Sequence, residues 1–176
     1  MKMSKFIRQT LPLFATILLL SLPYQAWAAD KDYVLNTAST GGTYHPVGTA
    51  IATLTKVKLL PKQKFSLTAV NSAGSGANVQ ALGAGTADFA ILQGLYGSYA
   101  ATGTGPISEP QKNLRSVTML WQNVEQFLVA NEKVKSGTVS DLMGLKGQSA
   151  GMGKQNSGTL GSNKVLLSGL GIDIGS

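Results

Sequence analysis

The sequence predicts an α/β fold with a mainly parallel sheet, and three observations support this prediction. Short apolar segments with strand character alternate with segments whose apolar residues recur at helical spacing. Most strand-to-helix junctions carry glycine beside serine or threonine. The 21 glycines show no fixed period, which excludes collagen. Strands that alternate with helices build a parallel sheet with helices on its faces.

The first half of the chain is predicted to contain three strands and three helices. Val47, Ile51 and Leu54 recur at the spacing of one helix face. Pro61 precedes the second strand. In chain order, the predicted strands are Tyr33–Thr37, Phe65–Val70 and Phe89–Leu92, and the predicted helices are Tyr44–Lys56, Ser75–Leu82 and Leu95–Ala101.

The second half of the chain continues the alternation after a break at Gly103–Pro106. Linkers are predicted at Gly103–Gln111 and Asn131–Gly137. The predicted strands are Leu114–Leu120, Phe127–Ala130 and Gln148–Met152, and the predicted helices are Thr138–Met143 and Thr159–Leu167.

Residues 1–28 have the composition of a secretory signal peptide. Lys2, Lys5 and Arg8 precede the apolar run Leu11–Leu22, and Ala26-Trp27-Ala28 is a small-x-small cleavage site. The alternative is a membrane-spanning helix, which needs roughly 20 apolar residues, but this run is only about 12 residues long. We therefore expect a Sec-type leader cleaved near Ala28. Because the chain has no cysteine, it has no site for a lipid anchor, and we expect a freely diffusing protein in a Gram-negative periplasm.

Net charge gives little support to a nucleic-acid partner. Three of the +7 charges lie in the leader, which leaves +4 for residues 29–176. The cluster of Lys56, Lys58, Lys62 and Lys64 is expected to be a solvated edge, with a negatively charged partner as the alternative. We predict no nucleic-acid binding.

Motifs for catalysis and for metal binding are missing. His45 is the only histidine, and we expect it at the surface or at a helix cap, with a ligand contact as the alternative. Ser157 is not in a Gly-x-Ser-x-Gly motif, and no Gly-x-Gly pair has the third glycine of a dinucleotide site. Asp88, Glu125 and Asp141 are far apart in the sequence. We predict no enzyme activity, no cofactor and no metal.

Three segments rich in glycine, serine and threonine open predicted helices directly after strands. They are Ser39–Tyr44, Asn71–Ser75 and Asn156–Thr159. Helix N-termini present free N–H groups and the positive end of the helix dipole, so they attract anions. Three such ends on one cleft would bind a carboxylate with few formal charges, whereas ordinary N-capping is the simpler explanation of each segment alone.

Across residues 31–173 the chain resembles the TAXI-type solute-binding proteins of TRAP transporters (tripartite ATP-independent periplasmic transporters). The matching segments are Thr40–Gly48, Val70–Asn78 followed by Leu82–Gln93, Leu114–Leu128, and Leu142–Gly147 with Gly151, Ser157, Gly158 and Thr159. The combination of these segments is more specific than any one of them.

This resemblance implies a two-lobed, type II periplasmic-binding-protein fold that closes on its ligand. Residues 29–130 would form the first lobe, and residues 131–176 would form the hinge crossover and the start of a second lobe. Members of the family are longer, so we expect the second lobe to be incomplete and the chain to be truncated. We expect a monomer.

The resemblance also implies capture of a small organic anion or amino acid, such as a dicarboxylate or a glutamate-like solute. Delivery would be to TRAP membrane permease subunits that are driven by an ion gradient. The alternative is an exported ligand-sensing domain of the same fold that signals to a membrane receptor or kinase. An enzyme on this fold, such as a transferase, is the third possibility.

The family's cleft residues can be carried over by position. In this chain they would be Thr40, Gly41, Gly42, Thr43, Tyr44, Ser72, Gly74, Ser75 and Gln93, with Ser157, Gly158 and Thr159 from the second lobe. Backbone and hydroxyl groups would donate to carboxylate oxygens. Tyr44 would add an aromatic wall and a phenolic donor, and the Gln93 amide could bond a polar group. Arg115, the only arginine after the leader, is expected to be structural rather than a carboxylate clamp.

Overall fold

The structure, a computed structural model, describes residues 30–174, so the predicted leader lies outside the described residues. It confirms the predicted α/β class with a three-stranded parallel sheet in the order β2-β1-β3. The strands are β1 (Lys31–Asn36), β2 (Phe65–Val70) and β3 (Phe89–Ala90). All six residues of β1 pair with β2, and Leu35 and Asn36 pair with β3.

Within residues 30–174, five α-helices connect and follow these strands. They are α1 (Tyr44–Lys58), α2 (Leu60–Gln63), α3 (Ser75–Gly83), α4 (Gly94–Thr102) and α5 (Gly158–Gly169). The short α2 was not predicted, although Pro61 suits a first helical turn because its missing N–H would be unpaired there. Among residues 30–174, no helix is both long and apolar enough to cross a membrane.

Among the described residues, two apolar clusters hold these elements together. Leu35, Ala52, Leu67 and Ile91 form the first cluster, between α1 and the sheet. A second cluster joins α3 to α4 and consists of Val79, Tyr96, Ala100 and Ile107. The lysine cluster that we expected at a solvated edge is exposed along the end of α1 and α2.

Buried Thr37 and Asn78 connect the ends of the strands. The Thr37 hydroxyl donates to the Val70 carbonyl at 2.8 Å, so His45 Nδ1, 3.0 Å from the same hydroxyl oxygen, must donate to it. Asn78 Nδ2 donates to the carbonyls of Thr37 at 2.8 Å and Ile91 at 2.7 Å. These bonds lock the ends of β1, β2 and β3 to one another, and they hold His45 half-buried.

The predicted strands Leu114–Leu120, Phe127–Ala130 and Gln148–Met152 are wrong. In the described part of the chain these segments have no regular secondary structure. Val117, Met119 and Leu128 are 78%, 86% and 97% exposed. A strand requires a neighbouring strand for its backbone hydrogen bonds, and no described strand pairs with these segments. Apolar composition alone therefore misled the prediction.

The helix predicted at Thr138–Met143 is a 3₁₀ helix, Val139–Leu145, and a shorter one spans Asn131–Lys133. The Asp141 carboxylate holds the turn before it, because the N–H groups of Lys135, Ser136 and Gly137 donate to its oxygens. The Ser136 hydroxyl donates to it as well, at 2.7 Å. Bonds from the Ser136 hydroxyl and backbone, with those from Lys135 and Gly137, lower the pKa of Asp141 from 3.8 to about 2.

We expect Asp141→Asn to lower the thermal midpoint clearly at pH 7 and much less at pH 2. A lowered pKa in the folded state means that the ionised carboxylate stabilises the fold, and that this contribution is lost as the pH falls from 3.8 to about 2. Circular dichroism melts at several pH values measure the effect. Glu132→Gln removes the same charge from an exposed side chain and serves as the control. An equal Asp141→Asn deficit at both pH values would contradict the prediction.

Candidate ligand-binding site

A cavity of about 330 Å³ opens beyond the carboxyl ends of the three strands. This is the edge where open α/β sheets bind ligands, and the volume falls in the lower range for small-molecule sites. The cavity is bordered by the segments that follow β1, β2 and β3, by a segment near residue 121, and by the start of α5. Its lining residues are Ala38, Ser39, Gly42, Thr43, Tyr44, Ala73, Gly74, Ser75, Gln93, Trp121, Asn123, Lys154, Ser157, Gly158 and Thr159.

Nine of the twelve residues predicted for the site line this cavity. They are Gly42, Thr43, Tyr44, Gly74, Ser75, Gln93, Ser157, Gly158 and Thr159. Thr40, Gly41 and Ser72 do not line it. The Ser72 hydroxyl is occupied within the protein, since it donates to the Thr37 carbonyl and accepts from the Gly74 N–H. Contact of any of these residues with a ligand stays a prediction.

The start of α1, which lines the cavity through Thr43 and Tyr44, has unpaired donors. The Thr43 side chain makes no capping bond. In the described part of the chain, the N–H groups of Tyr44 and His45 have no hydrogen-bond partner. Pro46 has no N–H to contribute. This helix end therefore offers two backbone donors and the positive end of the helix dipole.

The start of α3 keeps fewer free donors than the sequence suggested, because two of its N–H groups are occupied within the protein. The N–H groups of Gly76 and Ala77 both donate to the Asn156 carbonyl, at 3.0 and 3.3 Å. Asn156 adopts a left-handed conformation, φ 61°, which asparagine tolerates better than most residues. The Ser75 hydroxyl accepts from the Gln93 N–H at 3.0 Å. This helix end thus anchors the segment that leads to α5.

The start of α5 combines a conventional cap with free donors. The Ser157 hydroxyl accepts from the Leu160 N–H at 3.1 Å, so ordinary N-capping is correct for this residue. Across residues 30–174, the N–H groups of Gly158 and Thr159 have no partner. A Cβ on Gly158 would lie 2.7 Å from both Gln93 Oε1 and Ser75 Oγ. Only glycine allows α5 to begin this close to the sheet edge.

Aromatic side chains form one wall of the cavity. Tyr44 and Trp121 meet edge to face, with ring centroids 5.7 Å apart. Burial raises the pKa of the Tyr44 hydroxyl above its ordinary value. A hydrogen bond with Ser75 lowers this pKa, and the negative charge of Glu125 raises it. Tyr44 therefore stays protonated at neutral pH and can donate a hydrogen bond.

Two charged residues near the cavity were missed as site residues. Lys154 lines it. Glu125 Oε1 accepts from Gln93 Nε2 at 3.0 Å and from Asn123 Nδ2 at 3.2 Å, and both of these amides line the cavity. Lys154 could have been suspected because it lies just before the Asn156–Thr159 segment. No local signal marks Glu125, because its position depends on long-range contacts.

Other polar groups have structural partners. The Arg115 guanidinium donates to the carbonyls of Lys112 and Leu114, in line with a structural role. Within residues 30–174 no group of three or more histidine or acidic residues could hold a metal ion. The lining residues offer backbone N–H groups, hydroxyls, a lysine and an aromatic wall, and this set can hold a small polar anion.

A parallel sheet with a cavity at the carboxyl ends of its strands is consistent with a ligand-binding protein of the periplasmic-binding-protein class. The sequence profile of the NMT1-like family matches residues 35–176. The chain therefore belongs to the NMT1-like family, a periplasmic-binding-protein-like family related to solute-binding proteins. The small parallel sheet is consistent with that fold.

Proposed function

We propose that this protein is a periplasmic solute-binding subunit that captures a small organic anion or amino acid for a TRAP transporter. It binds and releases its ligand without chemical turnover. A membrane permease driven by an ion gradient then receives the ligand. The protein acts as a monomer in a Gram-negative periplasm.

The arrangement of donors around the cavity is the observation that carries this proposal. The starts of α1 and α5, whose first N–H groups have no partner among residues 30–174, border one space together with Lys154. Backbone donors, a helix dipole and an ammonium each favour a carboxylate, and together they do so without a metal. A TRAP partner is supported by the resemblance to TAXI proteins, and export is supported by the composition of residues 1–28.

Calorimetry against a panel of carboxylic acids and amino acids tests the binding function. Trp121 gives a second signal, because it lines the cavity and Trp27 is the only other tryptophan. In the mature protein, from which the expected leader and Trp27 are removed, a true ligand should change the Trp121 emission at the concentration where heat is released. Absence of any binder across the panel would reject the proposal.

Transport can be tested in cells that carry this protein and take up the identified ligand. Uptake should stop when ionophores collapse the ion gradient and should continue when ATP is depleted. Uptake that follows ATP instead would contradict a TRAP partner. Unchanged uptake after deletion of the gene, together with a lost transcriptional response to the ligand, would favour the sensing alternative.

Lys154→Met should weaken binding of a carboxylate ligand about tenfold, because it removes a positive charge from a residue that lines the cavity. The variant should also lose part of the salt dependence of binding, since screening acts on that charge. Lys164→Met is the matched control, because it removes the same charge from an exposed position of α5 outside the cavity lining. Equal affinities for both variants, measured by calorimetry, would exclude a role for Lys154.

A further inference from the structure

Five exposed lysines cluster at the amino ends of the strands, on the side of the sheet opposite to the cavity. Lys31 begins β1 and pairs in register with Phe65, the first residue of β2. Its N–H donates to the Lys64 carbonyl at 2.8 Å. α1 ends at Lys58, and α2 ends just before β2. We call this region the lysine surface, and its basic residues are Lys31, Lys56, Lys58, Lys62 and Lys64.

Acidic residues neutralise only part of this charge. Lys64 forms an ion pair with Asp30 at 3.3 Å. Lys56 Nζ donates to the Thr68 hydroxyl at 3.2 Å, and that hydroxyl donates to Asp32 at 2.7 Å. The remaining lysines, which form no ion pair among residues 30–174, are Lys31, Lys58 and Lys62. Five lysines against two aspartates leave the lysine surface with a net charge of +3.

Two aliphatic side chains are exposed beside these lysines. Leu54 is 59% exposed and Val57 is 61% exposed. Leu54 lies three residues before Val57 and four before Lys58 on α1, so it neighbours both of them on the helix surface. Aliphatic side chains flanked by lysines are typical of a surface that lies on the headgroups of an anionic bilayer.

The composition of the lysine surface favours a lipid partner over an acidic protein. Protein interfaces are depleted in lysine and enriched in arginine and aromatic residues. Here the basic residues are all lysines, and the most exposed apolar side chains are aliphatic. A lysine ammonium is a hydrated point charge on a flexible stem, so it is attracted to a negatively charged bilayer without needing a fixed geometry.

We propose that the lysine surface docks the protein reversibly on a bilayer that carries anionic phospholipid headgroups. The lysines lie among the headgroup phosphates, and Leu54 and Val57 enter the interface between them. The cavity lies at the carboxyl ends of the strands, one strand length of about 20 Å away, so docking leaves it open to ligand. This inference goes beyond the proposed function and does not depend on it.

Vesicle flotation tests the docking. The protein is used without its predicted leader, because the apolar run of that segment would itself bind bilayers. The vesicles contain phosphatidylcholine alone, or equal parts of phosphatidylcholine and phosphatidylglycerol. The protein should bind the mixed vesicles about a hundredfold more tightly than the neutral ones at low salt. Salt at about 1 M should release it, because the screening length then falls to about 3 Å.

The triple variant Lys31→Gln, Lys58→Gln, Lys62→Gln should bind the mixed vesicles about a hundredfold more weakly, because each lysine near an anionic surface contributes about fivefold. The control variant loses the same net charge at exposed positions elsewhere and should bind within about fivefold of the wild type. Its substitutions are Lys112→Gln, Lys146→Gln and Lys164→Gln. Single substitutions at the first three positions, each expected to cost about fivefold, keep the test decisive if the triple variant does not fold.

The aliphatic contact has its own test. Leu54→Gln combined with Val57→Gln should weaken binding to the mixed vesicles about tenfold, because less apolar area enters the interface. Val165→Gln combined with Leu166→Gln is the matched control on the exposed side of α5 and should change binding little. Equal losses for these two double variants would overturn the insertion of Leu54 and Val57.

Three results would overturn the docking itself. The first is equal binding of the wild-type protein to both kinds of vesicle. The second is an equal loss for the two triple variants, because overall charge would then explain the attraction. The third is binding to soluble poly-L-glutamate without binding to the mixed vesicles, which would assign the lysine surface to an acidic protein. Selective, salt-sensitive binding that only the Lys31, Lys58 and Lys62 substitutions abolish would support it.

Discussion

Replacing Gly161 with alanine should destabilise the protein by about 2 kcal/mol and weaken ligand binding about tenfold. A Cβ at this position would lie 2.5 Å from Cε2 and 2.7 Å from the hydroxyl oxygen of Tyr96. Tyr96 is only 5% exposed and packs against Tyr99, so its ring has little room to move. Alanine adds about 1 kcal/mol of helix propensity, which is smaller than the clash.

Binding should be affected because the clash pushes the first turn of α5 away from the cavity. The Tyr96 hydroxyl donates to the Ser157 carbonyl at 3.3 Å, so the two helices are joined where the free N–H groups of α5 lie. Gly169→Ala is the matched control, since no atom lies within 4 Å of a Cβ there. Urea unfolding and calorimetry measure both effects. Equal behaviour of the two variants would show that contact with Tyr96 does not set the position of α5.

Replacing Asn78 with aspartate should cost about 3–5 kcal/mol at pH 7, a large part of the stability of a typical domain. Asn78 is fully buried, and its Nδ2 group supplies both bonds to the carbonyls of Thr37 and Ile91. An ionised carboxylate has no donor, so it would place a buried charge against two acceptors. The strand ends that border the cavity would then lose their common partner.

The loss should be smaller at pH 5 than at pH 7. Burial beside two carbonyls raises the folded-state pKa of the introduced aspartate above its unfolded value, so protonation as the pH falls favours the folded state. The protonated acid also supplies one donor. Gln80→Glu introduces the same charge on an exposed position of α3 and should change stability little at either pH. A similar loss for both variants, measured by urea unfolding, would refute a specific role of Asn78.

Sequence patterns predicted the first half of the fold well because its elements satisfy local rules. The helix face formed by Val47 and Ile51 and the strand Phe65–Val70 each show their period within a few residues, and both are present. The strand predicted at Leu114–Leu120 had the same apolar character but is not a strand. The two segments differ in their long-range contacts, because β2 pairs with β1 whereas this segment pairs with no described strand.

The candidate site was also predicted only in part. The segments rich in glycine and hydroxyl residues were visible locally, and parallel topology brings their helix starts to one edge of the sheet. The sequence did not show which of these helix starts keep N–H groups free of partners within the protein. The Asn156 carbonyl occupies two N–H groups at the start of α3, and it lies 80 residues further along the chain than Gly76. Glu125 comes beside Gln93 in the same way, across 32 residues of sequence.

The sequence by itself determined the α/β class, the helix starts rich in N–H donors and the composition of residues 1–28, since each depends on neighbouring residues and on local periodicity. The tertiary structure decided which of those donors stay free, which side chains face one another across the cavity and which lysines pair with an acidic residue. Those features arise from contacts between distant segments. Their energies depend on burial and distance, and the order of residues along the chain does not encode either quantity locally.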